Sequence, residues 1–419
     1  MITEPFKIYP KIKELTAGYF STLAHAAKEG RTIVWGPASI PYELFRAMDM
    51  VYVLGEPYGA LCAASGLSEE LLPVTEEYGF TTKFCAYSRN FIGSCLTGKS
   101  PLGELPPANF MVGLRVNCND HVAWFEVLGK LMNRPYFSVD LPQCYGELAE
   151  RNITYVSSQL ERLVQFMEQM TKQKMEEQRL VETVTNAHQL RALWNEILEC
   201  CKNIPAPLNF RSQTSFMTAA VWLKGTSEAV ETYTALLDEV KDRTGRGVAS
   251  VPEEKARLLW DNVPMWFYPK VFNYLEDRGL VPIVCPYMVG WGDNPLIYSQ
   301  YSDETKELLA WQEPTTGKEA LRETAKEFLR GHISQNNCLP SKLSFYGGVA
   351  RDYKIDGAIF HSNWGCKALS LGRLEVAKYL EKEFRIPVLV FESSMSDPRG
   401  FKEEEFLSKL DNFTSSFSG

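Results

Sequence analysis

The sequence predicts an α/β protein in which two parallel-sheet domains flank a helical segment. Two observations carry that reading. Short apolar runs gather in two clusters, the first at 32–35, 50–54, 109–114 and 135–139, the second at 281–285, 356–361 and 386–391. Helical patterns separate the runs within each cluster, and strands that alternate with helices build parallel sheets covered on both faces. Between the clusters the chain reads as helix after helix, as in Leu160-Glu-Arg-Leu163-Val-Gln-Phe166-Met167, punctuated by Pro205-Ala-Pro207, Gly225 and Gly245-Arg-Gly247. The expected division of the 419 residues is an α/β domain at 1–145, a helical segment at 146–265 and a second α/β domain at 266–419.

Composition narrows the function. The net charge of −8 lacks the basic balance of a nucleic-acid binder. No apolar run approaches the roughly 18 residues of a membrane span, and the first fifteen residues have no apolar signal core. The chain is expected in the cytoplasm, where thiols stay reduced. A protein of this length buries a large core without disulfides. Its ten cysteines are then core filler, metal ligands or redox groups.

One motif is refused. Gly93-Ser-Cys-Leu-Thr-Gly98-Lys99-Ser100 fits the phosphate-loop pattern, but that loop needs a strand before it and a helix after it. Here the preceding residues read as helix, and Pro101-Leu-Gly-Glu-Leu-Pro-Pro107 follows. A helix end and a surface loop are expected.

The cysteines sort by position. Open α/β sheets bind ligands beyond the carboxyl ends of their strands. Cys118 follows the 109–114 run and precedes a helix; Cys366 follows the 356–361 run and does the same. Cys85 opens a helix, Cys285 ends the 281–285 run, and Cys338 opens another helical pattern. Thiolates are favoured at helix N-termini, where amide groups point at them. Cys200 and Cys201, adjacent inside a helix, read as packing, since a free cysteine is by default a core residue. Cys62, Cys95 and Cys144 stay open. No C-x-x-C pair occurs, which argues against a zinc ribbon. His121 and His361 lie near the candidate loops and read as orienting or structural groups.

The loops around these cysteines carry a resemblance. Its carriers are Gly30-Arg-Thr-Ile-Val-Trp35, Cys85-Ala-Tyr-Ser-Arg89, Asn117-Cys118-Asn-Asp, Pro252-Glu-Glu-Lys-Ala-Arg257, Asn336-Asn-Cys-Leu-Pro340, His361-Ser-Asn-Trp-Gly-Cys-Lys367 and Asp397-Pro-Arg399. In that order, over nearly the whole length, the chain resembles the iron–sulfur component of 2-hydroxyacyl-CoA dehydratases and ATP-dependent benzoyl-CoA reductases. The resemblance implies two flavodoxin-like domains with a 4Fe–4S cluster in the cleft between them, held by Cys85, Cys118 and Cys366. It implies a separate ATP-hydrolysing activator that delivers electrons, and a pair of homologous chains, a homodimer or a heterodimer. It places the chemistry in an oxygen-poor cytoplasm, with no membrane partner.

Departures from the family pattern shape the functional expectation. Dehydratases offer a serine hydroxyl after the first strand; here the aligned residue is Ala38, and Ser39 beside it is expected to point elsewhere. The acid after the second strand is kept as Glu56, the expected catalytic residue. Cys285 and Cys338 fall where the family usually has no cysteine, as in a double-cubane subset whose two 4Fe–4S units need six thiols. Cys95 is the favoured sixth, with Cys144 or Cys62 as alternatives. The expected function is a low-potential iron–sulfur reductase acting on a small unsaturated molecule. The alternatives are a single-cluster dehydratase or benzoyl-CoA-type reductase subunit that binds CoA thioesters, and a non-catalytic electron carrier.

Overall fold

The computed structural model describes residues 3–115, 118–142, 147–292, 294–336 and 339–417, without the side chains of 331–336. Cys144 and Cys338 therefore lie outside the described residues. Two four-stranded, all-parallel sheets organise the chain. The first holds β1 (Ile33–Gly36), β2 (Val51–Leu54), β3 (Phe110–Leu114) and β4 (Tyr136–Val139) in the order β2-β1-β3-β4. The second holds β5 (Ala256–Asp261), β6 (Leu280–Val284), β7 (Gly357–Asn363) and β8 (Val388–Ser393) in the order β6-β5-β7-β8.

Both orders reduce to 2-1-3-4, the start of the flavodoxin-like arrangement. Each sheet reverses direction beside its first strand, so a crevice opens there at the carboxyl ends. β1, β2 and β3 are buried along their whole length, which is why they read as unbroken apolar runs. β4, at the sheet edge, is half-exposed over most of its length.

Between the sheets run the helices Glu150–Thr171, Glu177–Cys200, Phe210–Trp222 and Ser227–Arg246. Ile153, Val156, Leu160, Leu163 and Met167 recur every three or four residues and are all buried, the stripe that a helix turns to a core. This helical segment ends earlier than expected. The stretch 146–265 includes β5, which pairs with β6 and β7 at the centre of the second sheet. Its sequence, Ala256-Arg-Leu-Leu-Trp-Asp261, is broken by two charged residues, yet Arg257 and Asp261 are 3% and 0% exposed. Arg257 donates to the carbonyls of Tyr353 (2.7 Å) and Asn203 (3.0 Å). Asp261 meets Arg373 and Tyr346. Paired charges can occupy a core strand, and an apolar-run reading misses them.

The refused phosphate-loop match resolves as expected. Its Gly93 and Thr97 lie inside the helix Ala86–Thr97, Gly98 caps that helix at φ 71°, and Lys99 pairs with Glu70.

Candidate functional site

The carboxyl ends of both sheets face one cavity of about 200 Å³. The first sheet contributes Ala38 and Ser39 after β1, Glu56 after β2, and Cys118 and His121 after β3. The second contributes Val263 after β5 and Cys366 after β7. Cys85 enters from the residue that starts the helix Ala86–Thr97. The strand-end rule therefore gathers Cys85, Cys118, Cys366 and Glu56 around one space.

The three thiols affect one another. Burial pushes Cys85 up, and Cys366 and Cys118 push it the same way. Burial raises Cys366 to about 11, with Cys118 adding to it. Such thiols become thiolates when a cation binds them. Among the described residues no set of three His, Cys, Asp or Glu is grouped tightly enough for a lone metal ion. An all-sulfur donor set drawn from two domains suits a cluster, whose irons lie apart.

Glu56 and His121 form the polar pair of the cavity. His121 Nε2 lies 2.9 Å from Glu56 Oε1, and the Ala38 amide donates to Glu56 Oε2 at 2.7 Å. Burial by itself would lower His121, but Cys118 and Glu56 together raise it well above its ordinary value. The imidazolium–carboxylate pair holds one shared proton beside the thiols. Ala38 thus serves through its backbone. Ser39, expected to point elsewhere, lines the cavity, and its buried hydroxyl has no hydrogen-bond partner among the described residues.

His361, by contrast, is fully buried outside the cavity lining. Its Nδ1 lies 3.0 Å from the Val263 carbonyl and its ring stacks on Phe391. Burial lowers it to about 4, so it stays neutral.

The extra cysteines fall elsewhere. Cys285 is buried at the end of β6, outside the cavity lining, and its thiol donates to the Asn262 carbonyl at 3.2 Å. Cys95 sits one helix turn from the end of Ala86–Thr97, and burial and the neighbouring Cys62 raise it to about 12. That position, set by the helix turn, is away from the cavity, so Cys95 does not join the other thiols there.

The opposite wall is helical and was missed from sequence. Leu190, Arg191 and Trp194 come from Glu177–Cys200, and Lys224 from just after Phe210–Trp222. Lys224 Nζ lies 3.1 Å from Glu43 and 2.5 Å from Glu327, while Arg191 lies 3.1 Å from Glu327. Burial works against the Glu327 charge, but Arg191 and Lys224 outweigh it and hold the carboxyl at about 2. One signal was available: Arg191 falls in the buried stripe Leu180, Val184, Ala187, Trp194, Leu198, where a charge needs a partner.

The family model for 2-hydroxyglutaryl-CoA dehydratase, D-component (HGD-D), matches residues 37–416. The chain belongs to that family. It is similar to the (R)-phenyllactyl-CoA dehydratase alpha subunit of Clostridium sporogenes, 25% identical over 95% of this chain and 93% of that one. It is similar to the (R)-2-hydroxyisocaproyl-CoA dehydratase alpha subunit of Clostridioides difficile, 23% identical over 95% and 93%. It is equally similar to a benzoyl-CoA reductase chain of Thauera aromatica, 25% identical over 96% and 93%. A D-component-family chain with this cavity is an enzyme, and its relatives divide between dehydratases and a reductase.

Proposed function

We propose that the chain is the iron–sulfur component of a low-potential reductase, fed electrons by a separate ATP-hydrolysing activator. The convergence of Cys85, Cys118 and Cys366 on one cavity carries this reading. When bound there, a 4Fe–4S cluster supplies single electrons at low potential. The chain's own residues do the rest. Glu56 and His121 hold a proton at the Oε1–Nε2 contact, within the cavity where a substrate atom accepts it. Trp194, Tyr287 and Trp291 wall off water. Ala38 offers no hydroxyl, which favours reduction of a small unsaturated molecule over the dehydration of a 2-hydroxyacyl-CoA. The chain works in an oxygen-poor cytoplasm as a homodimer, with a heterodimer as the alternative.

A double cubane is the second reading. Cys285 favours it, because its neighbours Asn262 and Pro286 adjoin the lining residues Val263 and Tyr287. Its thiol would have to leave the Asn262 carbonyl and turn. Iron and sulfide counted per chain after anaerobic purification decide: about four irons fit one cluster and about eight fit two. An iron-free chain that stays iron-free on anaerobic reconstitution would sink both.

A further inference from the structure

Two arginines and two carboxylates close a square across the domain boundary. Arg89, one turn into the helix that Cys85 opens, is 2% exposed. Its Nη1 meets Glu76 Oε1 at 2.8 Å, and its Nη2 meets Asp397 Oδ2 at 3.0 Å. Arg399 closes the other side, at 2.8 Å from Asp397 and paired with Glu76. Glu76 and Arg89 belong to the first domain, Asp397 and Arg399 to the second.

The square connects to the thiols at both ends. The Arg89 amide donates to the Cys85 carbonyl at 3.1 Å, so the arginine and the thiol share one helical turn. On the other side, the Trp364 amide donates to the Ser393 carbonyl (2.8 Å) and the Met395 amide to Asn363 Oδ1 (3.1 Å). These bonds join the loop of Cys366 to the loop of Asp397. The two loops also touch the first domain directly. A Cβ on Gly365, at φ +77°, would lie 2.8 Å from the Phe84 carbonyl. Buried arginine forks of this kind fix geometry, because both carboxylates must stay in place to satisfy the planar guanidinium.

We propose that Arg89 is a positioning residue that sets the spacing of Cys85 and Cys366 across the two domains, and so prepares the three-thiol site before anything binds it. The inference rests on the reading that these thiols hold one group together. Its effect on that group is of the kind that residues supporting metal ligands exert.

The test uses the full chain, first free of iron. Phenylarsine oxide condenses with two nearby thiols, forming two As–S bonds and releasing water. The expected result is that wild type captures it, that Cys366→Ser does not, and that Arg89→Met weakens capture by about 10- to 100-fold. Arg89→Lys, which keeps the charge and one contact, should recover part of that loss. Reaction of the single thiols with a maleimide should not slow. In the reconstituted protein, Arg89→Met should shift the electron-paramagnetic signal and lose iron to a chelator faster. Should Arg89→Met not fold, the near-isosteric Asp397→Asn carries the same comparisons. Wild-type capture, signal and iron retention in a variant that merely melts earlier would overturn the proposal. If wild type captures the arsenical but never takes up iron, the cluster reading fails and the positioning role stands.

Discussion

The two sheets repeat one topology but present different edges to the cavity. The first ends in Glu56, His121 and Cys118, with a histidine pushed well above its ordinary value by charged neighbours. The second ends in Cys366, with Cys285 and His361 behind the cavity lining, the thiol spent on a carbonyl and the histidine held neutral at about 4. Equal burial thus gives opposite histidines, and the difference is the company each keeps. One edge handles protons; the other is a fixed bed that supplies a single thiol.

The largest break in that comparison is at the thiols. Cys118→Ser or Cys366→Ser should abolish iron retention and turnover, read by iron assay after anaerobic reconstitution. Retention of a full complement by either variant would remove that thiol from the site. Next comes the proton-bearing edge. Glu56→Gln should lower turnover by about 10²- to 10⁴-fold, the worth of a general acid–base group, while iron content stays at the wild-type level. A variant that turns over normally would reduce Glu56 to an anchor for the Ala38 amide.

The neutral edge is tested by pH. His361 titrates near 6.5 unfolded and about 4 folded. Between those values the unfolded chain binds the proton that the folded chain excludes, so stability falls as pH falls. By pH 4 the loss from this group is on the order of 3 kcal/mol. His361→Phe should cost about 1 kcal/mol at pH 7, for the lost bond to Val263, yet unfold less steeply in denaturant titrations taken to acid. An unchanged acid slope would mean that His361 titrates in the fold. The smallest effect is expected at Cys285→Ser: unchanged iron content and a stability change of roughly 1 kcal/mol or less. A halved iron count there would restore the second cubane.

Much of this was legible. Seven of the eight described strands lie within a residue or two of the apolar runs, because strands buried on both faces leave no polar interruption. β5 was lost for the opposite reason: Arg257 and Asp261 are neutralised by partners far away in sequence. Cys85, Cys118 and Cys366 could be chosen by place alone, since each stands where a strand ends or a helix begins. That same rule also chose Cys285, because position along a strand does not tell which way its last side chain faces. The Lys224–Glu327 wall could not be read, as its ion pairs join segments about a hundred residues apart.

The helical wall carries a consequence of its own. The proton pair and the thiols stand on sheet ends, while Leu190, Arg191, Trp194 and Lys224 close the cavity from helices that hold no part of that chemistry. Chemistry and selectivity are thus written on separate pieces of chain. Selection can reshape the chamber, one helical residue at a time, while the electron and proton groups stay where they are. A lineage built this way can change what it accepts without relearning how to react with it.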